Sequence, residues 1–149
     1  MDIEQRMKLL IHSYKQLKPK NNPKDFIIRV ADGVNFWKSD RYSIWGIGDV
    51  GAKTIMNACE KGDRIWFCTS SSGGKLVAVA TFDKIITRFK GLDKYDSITN
   101  EKFGWIGEGW SCNYLIKYSN RYNLELENIY SGIKGACQTR CIDNKKKFC

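Results

Sequence analysis

Two runs of strand-forming residues, Arg64 to Thr69 (RIWFCT) and Leu76 to Phe82 (LVAVATF), flank Ser70 to Lys75 (SSSGGK). Paired glycines between apolar runs specify a tight reversal, so the two runs predict an antiparallel hairpin whose strands are both buried. A buried hairpin needs more sheet beside it. Phe26 to Val30 (FIIRV), stopped by Asp32-Gly33, and Arg41 to Trp45 (RYSIW), stopped by Gly46 and Gly48, read as two further strands, and Tyr114 to Tyr118 (YLIKY) alternates as a strand does.

Helical signals are fewer. Asp49 stands where it could cap a helix from Gly51 to Cys59 whose inward face is Ile55, Met56 and Cys59. Ile3, Met7, Leu10, Tyr14 and Leu17 recur at steps of four and three, which predicts an amphipathic helix with Lys8, Lys15 and Lys18 outside its stripe. Pro19 and Pro23 then make residues 18–24 (KPKNNPK) a basic linker, so residues 1–24 are expected as a helical arm and residues 25–149 as the compact domain. Asn35-Phe36-Trp37 reads as a loop or short turn, Lys84 to Lys102 as a polar loop, and the chain from Ile129 shows no clear pattern. Strands and helices are intermingled without regular βαβ alternation, so the expected class is α+β: a mixed β-barrel or strongly curved sheet flanked by helices. No internal repeat is seen.

Of the 149 residues, 25 are Lys or Arg and 16 are Asp or Glu, a net charge of +9 that favours polyanionic partners. The positive groups fall in three places: Lys18, Lys20 and Lys24; Lys84, Arg88, Lys90 and Lys94; and Lys134, Arg140, Lys145, Lys146 and Lys147. Two such sets along one groove would neutralise phosphates and release counterions, giving salt-sensitive affinity with little sequence information. The alternative for any one of them is an ordinary solvated side chain. No stretch approaches membrane-spanning length and the N-terminus lacks the apolar core of a signal peptide, so an intracellular chain with no membrane partner is expected.

Trp37, Trp45, Trp105 and Trp110 lie beside glycines at the ends of predicted elements, where a ring can face a groove and a ligand can approach the backbone. Flat π-faces of this kind stack a nucleobase, and Asp32, Asn35, Ser43 and Asp49 could meet its polar edge. Core packing is the competing reading for the rings, and turn formation or capping for the polar residues. Trp66, inside a β-run, is expected in the core.

In order, FIIRV, a glycine-bearing loop, SIWG, a short helix, KGDRIWF, a glycine-rich hairpin and LVAVATF resemble the EVE and YTH branch of the PUA-like domains over residues 26–82, and more loosely over residues 103–123 (FGWIGEGW and the strand after it). GW followed by YLIKYSNRYNL is also similar to EVE-like proteins of large DNA viruses, which implies a host-cell or virion setting. The resemblance implies a pocket on a small β-barrel for a modified or flipped-out base. Trp45 takes the place of the first cage tryptophan, Trp105 or Trp110 supplies a second wall, and Asp32 and Asn35 correspond to base-reading positions.

Catalysis is not expected. His12 is the only histidine and no motif surrounds it; the loop acids Asp32, Asp40, Asp49 and Glu108 form no linked pair. No cofactor is expected. Cys59 and Cys68 fall in apolar runs and read as core residues, whereas Cys137, Cys141 and Cys149, at C-x3-C-x7-C, lack ordinary zinc spacing and leave disulfides among themselves or with Cys112 open. The expected function is therefore a non-catalytic module binding DNA or RNA through an aromatic pocket. The alternative is a structural or virion-assembly protein using the same fold to hold protein partners.

Overall fold

The computed structural model describes residues 22–70, 74–89, 98–107, 112–127 and 140–142, together with Gln5. Its elements run β1 (Asp25–Arg29), α1 (Val34–Asp40), β2 (Ile44–Ile47), α2 (Asp49–Ala58), β3 (Arg64–Cys68), β4 (Lys75–Thr87), a 3-10 turn (Glu101–Phe103), β5 (Tyr114–Glu127) and β6 (Arg140–Ile142). The strands form one mixed six-stranded sheet in the order β2-β5-β4-β3-β1-β6. β1 and β3 are parallel; every other neighbouring pair is antiparallel. The sheet curls into a half-barrel with the two helices beside it, the fold class that the intermingled strands and helices predict.

Three register shifts along the β4–β5 ladder, at Leu76/Ala78, Val79/Thr81 and Phe82/Lys84, accompany that curl, since each extra residue bends and twists the strand carrying it. Thirteen-residue β4 can therefore pair with β3 through its first half and with the start of β5 through its second. β2 then pairs with Tyr114 to Lys117.

Period-2 alternation puts Phe26, Ile28 and Val30 with Ile65 and Phe67 on one face, where they join Phe36, Ile55, Ala78, Phe82 and Tyr118 in the main core. Ala78 and Ala80 keep β4 thin there. The opposite face is buried too: Asp25, Ile27, Trp66 and Cys68 have no exposed surface. Asp25 makes this possible for Arg64, accepting from Nε at 2.5 Å and Nη2 at 2.8 Å, and accepts from Trp66 Nε1 at 2.8 Å. Arg64 Nη1 is buried with no hydrogen-bond partner among the described residues.

Several expectations change. Asn35, Phe36 and Trp37 lie in helix α1, which forms because Phe36 anchors it in the core while Asp32 Oδ1 accepts from the Val34 N–H at 2.9 Å. β4 runs on to Thr87 where a loop was expected, because Ile85 and Ile86 pair with Ile116 and Leu115 of β5. In α2 the inward residues are Ala52 and Ile55; Met56 is half exposed, and the N-cap is Gly48 with no side-chain hydrogen bond. Trp66 is a core residue as expected. Cys68 is buried but disulfide-bonded rather than a core thiol, and Cys59 and Cys112 stand outside any disulfide. Of the predicted N-terminal helix only Gln5 is described, and His12, Glu108, Lys94, Lys134, Cys137 and Cys149 fall outside the described residues. Among the described residues no helix is long and apolar enough to cross a membrane.

Candidate functional site

Strand β2 and the 3-10 turn bring two indoles together. Trp45 Nε1 donates to the Arg29 carbonyl at 3.1 Å, and Trp105 Nε1 donates to the Asn35 carbonyl at 3.0 Å. Each ring is thus tied to the backbone of a different element, and the two meet edge to face, centroids 5.8 Å apart and planes at 83°. Trp105 is 6% exposed and packs with Ile44, Phe103 and Leu115, so the partly buried Trp45 indole carries most of the accessible π-surface and the edge of Trp105 closes one side. Beside it lies a cavity of about 160 Å³, whose walls include both indoles, Asn35, Asn100, Cys112 and Gly46. Gly46 is required there: a Cβ at that position would stand 2.6 Å from Cys112 Sγ and 3.4 Å from the Trp105 ring.

Arg88 underlies this cavity and is a correction to the sequence reading, which placed it among phosphate ligands. It is fully buried, because β4 carries it into the interior instead of out into a loop. Its guanidinium donates to the carbonyls of Cys112 (3.1 Å) and Ile98 (3.0 Å), to Asn100 Oδ1 (2.6 Å) and to Cys112 Sγ (3.2 Å), and lies 5.7 Å from the centre of the Trp105 ring. The Asn100 carbonyl accepts in turn from the Phe103 and Trp105 N–H groups. Arg88 therefore holds three cavity residues in register: Asn100, Cys112 and, through Asn100, Trp105.

The remaining candidates are spread around the corner. Asn35 lines it. Asp32 caps α1 and borders a second, shallower concavity of about 630 Å³ shared with Val34, Asn35, Lys38 and Ile106. Ser43 occupies a left-handed turn (φ 57°), and its carbonyl accepts from the Tyr118 N–H, outside the cavity wall. Asp49 is exposed in the first turn of α2. Trp37 faces outward on α1, 41% exposed, away from the corner. The Lys24 ammonium, with its side chain 42% exposed, donates to the Ala58 carbonyl and sits 4.0 Å from Asp63, a tie at the C-terminus of α2. Lys84 is exposed on β4, opposite Lys117 of β5. Trp110, Lys18, Lys20, Lys90, Lys145, Lys146 and Lys147 lie outside the described residues.

Sequence reasoning missed Asn100 and Cys112. Neither belongs to a motif, and they reach the corner only through Arg88. Gly46, read from the sequence as the stop of a strand, lies instead inside β2, paired with Leu115.

Behind α1, Tyr118 donates its hydroxyl to Asp40 Oδ1 at 2.7 Å, and Arg121 pairs with the same carboxylate through Nε and Nη2, each at 2.9 Å. Burial, then the bond to the Asp40 carboxylate and its charge, hold the Tyr118 phenol protonated far above its ordinary range.

A half-barrel mixed sheet bordered by helices defines the class as an α+β fold of the kind seen in YTH domains. No protein-family model and no curated protein sequence matches the chain. Among solved structures it is similar to the YTH domain of the Zygosaccharomyces rouxii MRB1 protein, crystallised in complex with N6-methyladenosine RNA. That likeness has a TM-score of 0.55 and 13% sequence identity, and covers 85% of this chain and 80% of that one. Weaker likenesses are a hypothetical protein from Leishmania major (TM-score 0.48, 13% identity, 82% of this chain and 88% of that one) and an ASCH protein of Zymomonas mobilis (TM-score 0.48, 9% identity, 83% and 92%).

Proposed function

We propose that this protein is a non-catalytic nucleic-acid-binding module that receives a single base, in modified form, against the perpendicular indoles of Trp45 and Trp105. The observation carrying this reading is that corner and its adjoining cavity. Two ring faces held at right angles can stack a heterocycle on one indole and enclose a methyl substituent with the other, while Asn35 and Asn100 offer amide and carbonyl groups to its edge. The small cavity suits one base better than a drug-sized ligand, whose pockets run to about 300–1,000 Å³. The net charge of +9 and a YTH fold seen elsewhere with N6-methyladenosine RNA support the same reading. It works inside the cell, without a cofactor, on DNA or RNA.

The test uses the whole chain and single-stranded oligonucleotides that differ only in one N6-methyladenine, titrated at two salt concentrations. Wild type binds with an affinity that falls steeply with salt and prefers the methylated strand. Trp45→Ala loses about 1–3 kcal/mol of binding, the range for one stacked base, and the methyl preference with it, while the thermal unfolding transition persists. A folded wild-type protein with no affinity for any DNA or RNA at low salt refutes the reading.

A second reading, a structural or virion-assembly protein that holds protein partners, draws on the exposed apolar residues Val50 and Met56 of α2. Fixed stoichiometry in a purified particle would favour it.

A further inference from the structure

The outward face of α1 carries an aromatic and basic cluster that the corner does not use. Residues three and four apart share a helix face, so Val34, Trp37, Lys38 and the C-cap Arg41 form one stripe. All four are exposed, Val34 at 54% and Trp37 at 41%. This exposed indole is nonetheless held by fixed neighbours. The Arg121 guanidinium lies 5.0 Å from the Trp37 ring centre, and Asp40 grips that guanidinium through both carboxylate oxygens. Phe36, sealed in the core, meets Trp37 edge-on at 4.9 Å. The ring is therefore backed by a fixed cation and keyed to the core, yet keeps a large open surface.

The cations beside it are of two kinds. Arg41 is stacked over Tyr42 at 4.8 Å and donates to its hydroxyl at 2.9 Å, which fixes its direction. Lys38 packs its stem near Gly104, with no acidic partner among the described residues. The stripe is also continuous with the corner: Asn35 walls both the corner cavity and the shallow concavity, and that concavity is bordered by Val34 and Lys38. From corner to Trp37 the path crosses α1 over exposed apolar and basic side chains.

From this continuity we infer that Trp37, backed by Arg121, is a second base-stacking platform for single-stranded nucleic acid, taking a base outside the one held in the corner. Lys38 and Arg41 meet the intervening phosphates. The inference rests on the reading of the corner as a base site, and its occupant is the continuation of the same strand. A stacked base on an open indole needs no hydrogen-bond reading, so the platform adds affinity and tolerates any base.

The test compares the nucleoside N6-methyladenosine with a single-stranded pentanucleotide carrying that base at its centre, each titrated against the full-length wild type, Trp37→Ala, Trp37→Tyr and Trp45→Ala. Trp37→Ala is expected to weaken pentanucleotide binding about tenfold, within the range for one stacked base, and to leave nucleoside binding unchanged. Trp37→Tyr, which keeps a ring, recovers most of the loss. Trp45→Ala weakens both ligands. Equal pentanucleotide affinity in wild type and Trp37→Ala overturns the platform while leaving the corner intact. Parallel loss of nucleoside binding in Trp37→Ala also overturns it, by showing that the substitution acts through the corner. If Trp45→Ala changes neither ligand while Trp37→Ala still weakens the longer one, the corner falls and the platform stands.

Discussion

Trp66 and Trp45 are both strand tryptophans of one sheet, and both have their indole N–H satisfied, yet one is sealed and the other borders an opening. Trp66 donates to the Asp25 carboxylate, which also neutralises Arg64, and all three side chains are buried. Trp45 donates to a backbone carbonyl and has Gly46 as its neighbour in the chain, so space remains beside the ring. The sealed region spends its polar groups on one another. The open region ties its polar groups down from behind, through Arg88 and the backbone, and leaves part of the Trp45 ring toward solvent while Trp105 stays buried. Rigidity is common to both; what differs is the side from which it is supplied.

Removing the sealed region's anion should have the largest effect. Asp25→Ala leaves Arg64 charged and unpaired inside the sheet, and is expected to lower unfolding free energy by about 3–5 kcal/mol in chemical denaturation. A loss below about 1 kcal/mol, the level of a surface ion pair, would show that water reaches this pair and would erase the contrast with the corner.

Filling the open region sharpens the comparison next. Gly46→Ala places a methyl against Cys112 Sγ, and is expected to cost about 1–3 kcal/mol by overpacking and to weaken ligand binding at the corner. Adding Cys112→Ala removes the colliding sulfur, so the double variant should recover stability relative to Gly46→Ala alone. If the two substitutions simply add, the collision is not what Gly46 avoids.

The smallest effect concerns the network behind α1. Tyr118 keeps its proton in the folded state above the ordinary phenol value of 10.0, whereas the unfolded chain releases it. The unfolded state then binds fewer protons, so this group's stabilisation is complete below about pH 10 and falls by up to about 1.4 kcal/mol per pH unit above it. Denaturation at a series of alkaline pH values, compared with Tyr118→Phe, should show the variant with the shallower slope. Equal slopes would mean that Tyr118 is not held by Asp40 and burial.

Much of the fold was legible because its signals are local. Apolar β-runs broken by glycines marked β1, β3 and β4, part of β2, and the start of β5. Where reading failed, non-local packing had overridden local preference. α1 has a glycine at its N-cap and Ser39 and Asp40 in its last turn, a weak helix by propensity, and exists because Phe36 reaches the core. The extension of β4 was hidden by Asp83 and Lys84, which a register shift accommodates. Arg88 looked like one more surface cation in a basic stretch.

The sequence by itself determined the α+β class, the buried hairpin, the basic charge, and that the Trp45 indole was worth weighing with that of Trp105 or of Trp110. Those properties depend on residue type and spacing along the chain. Only the tertiary structure decided that the two indoles meet at a right angle, that Arg88 supports them from the interior, and that Trp37 faces outward on a helix. The reason is geometric: a ring becomes a wall of a site only when segments far apart in the chain leave one of its faces uncovered.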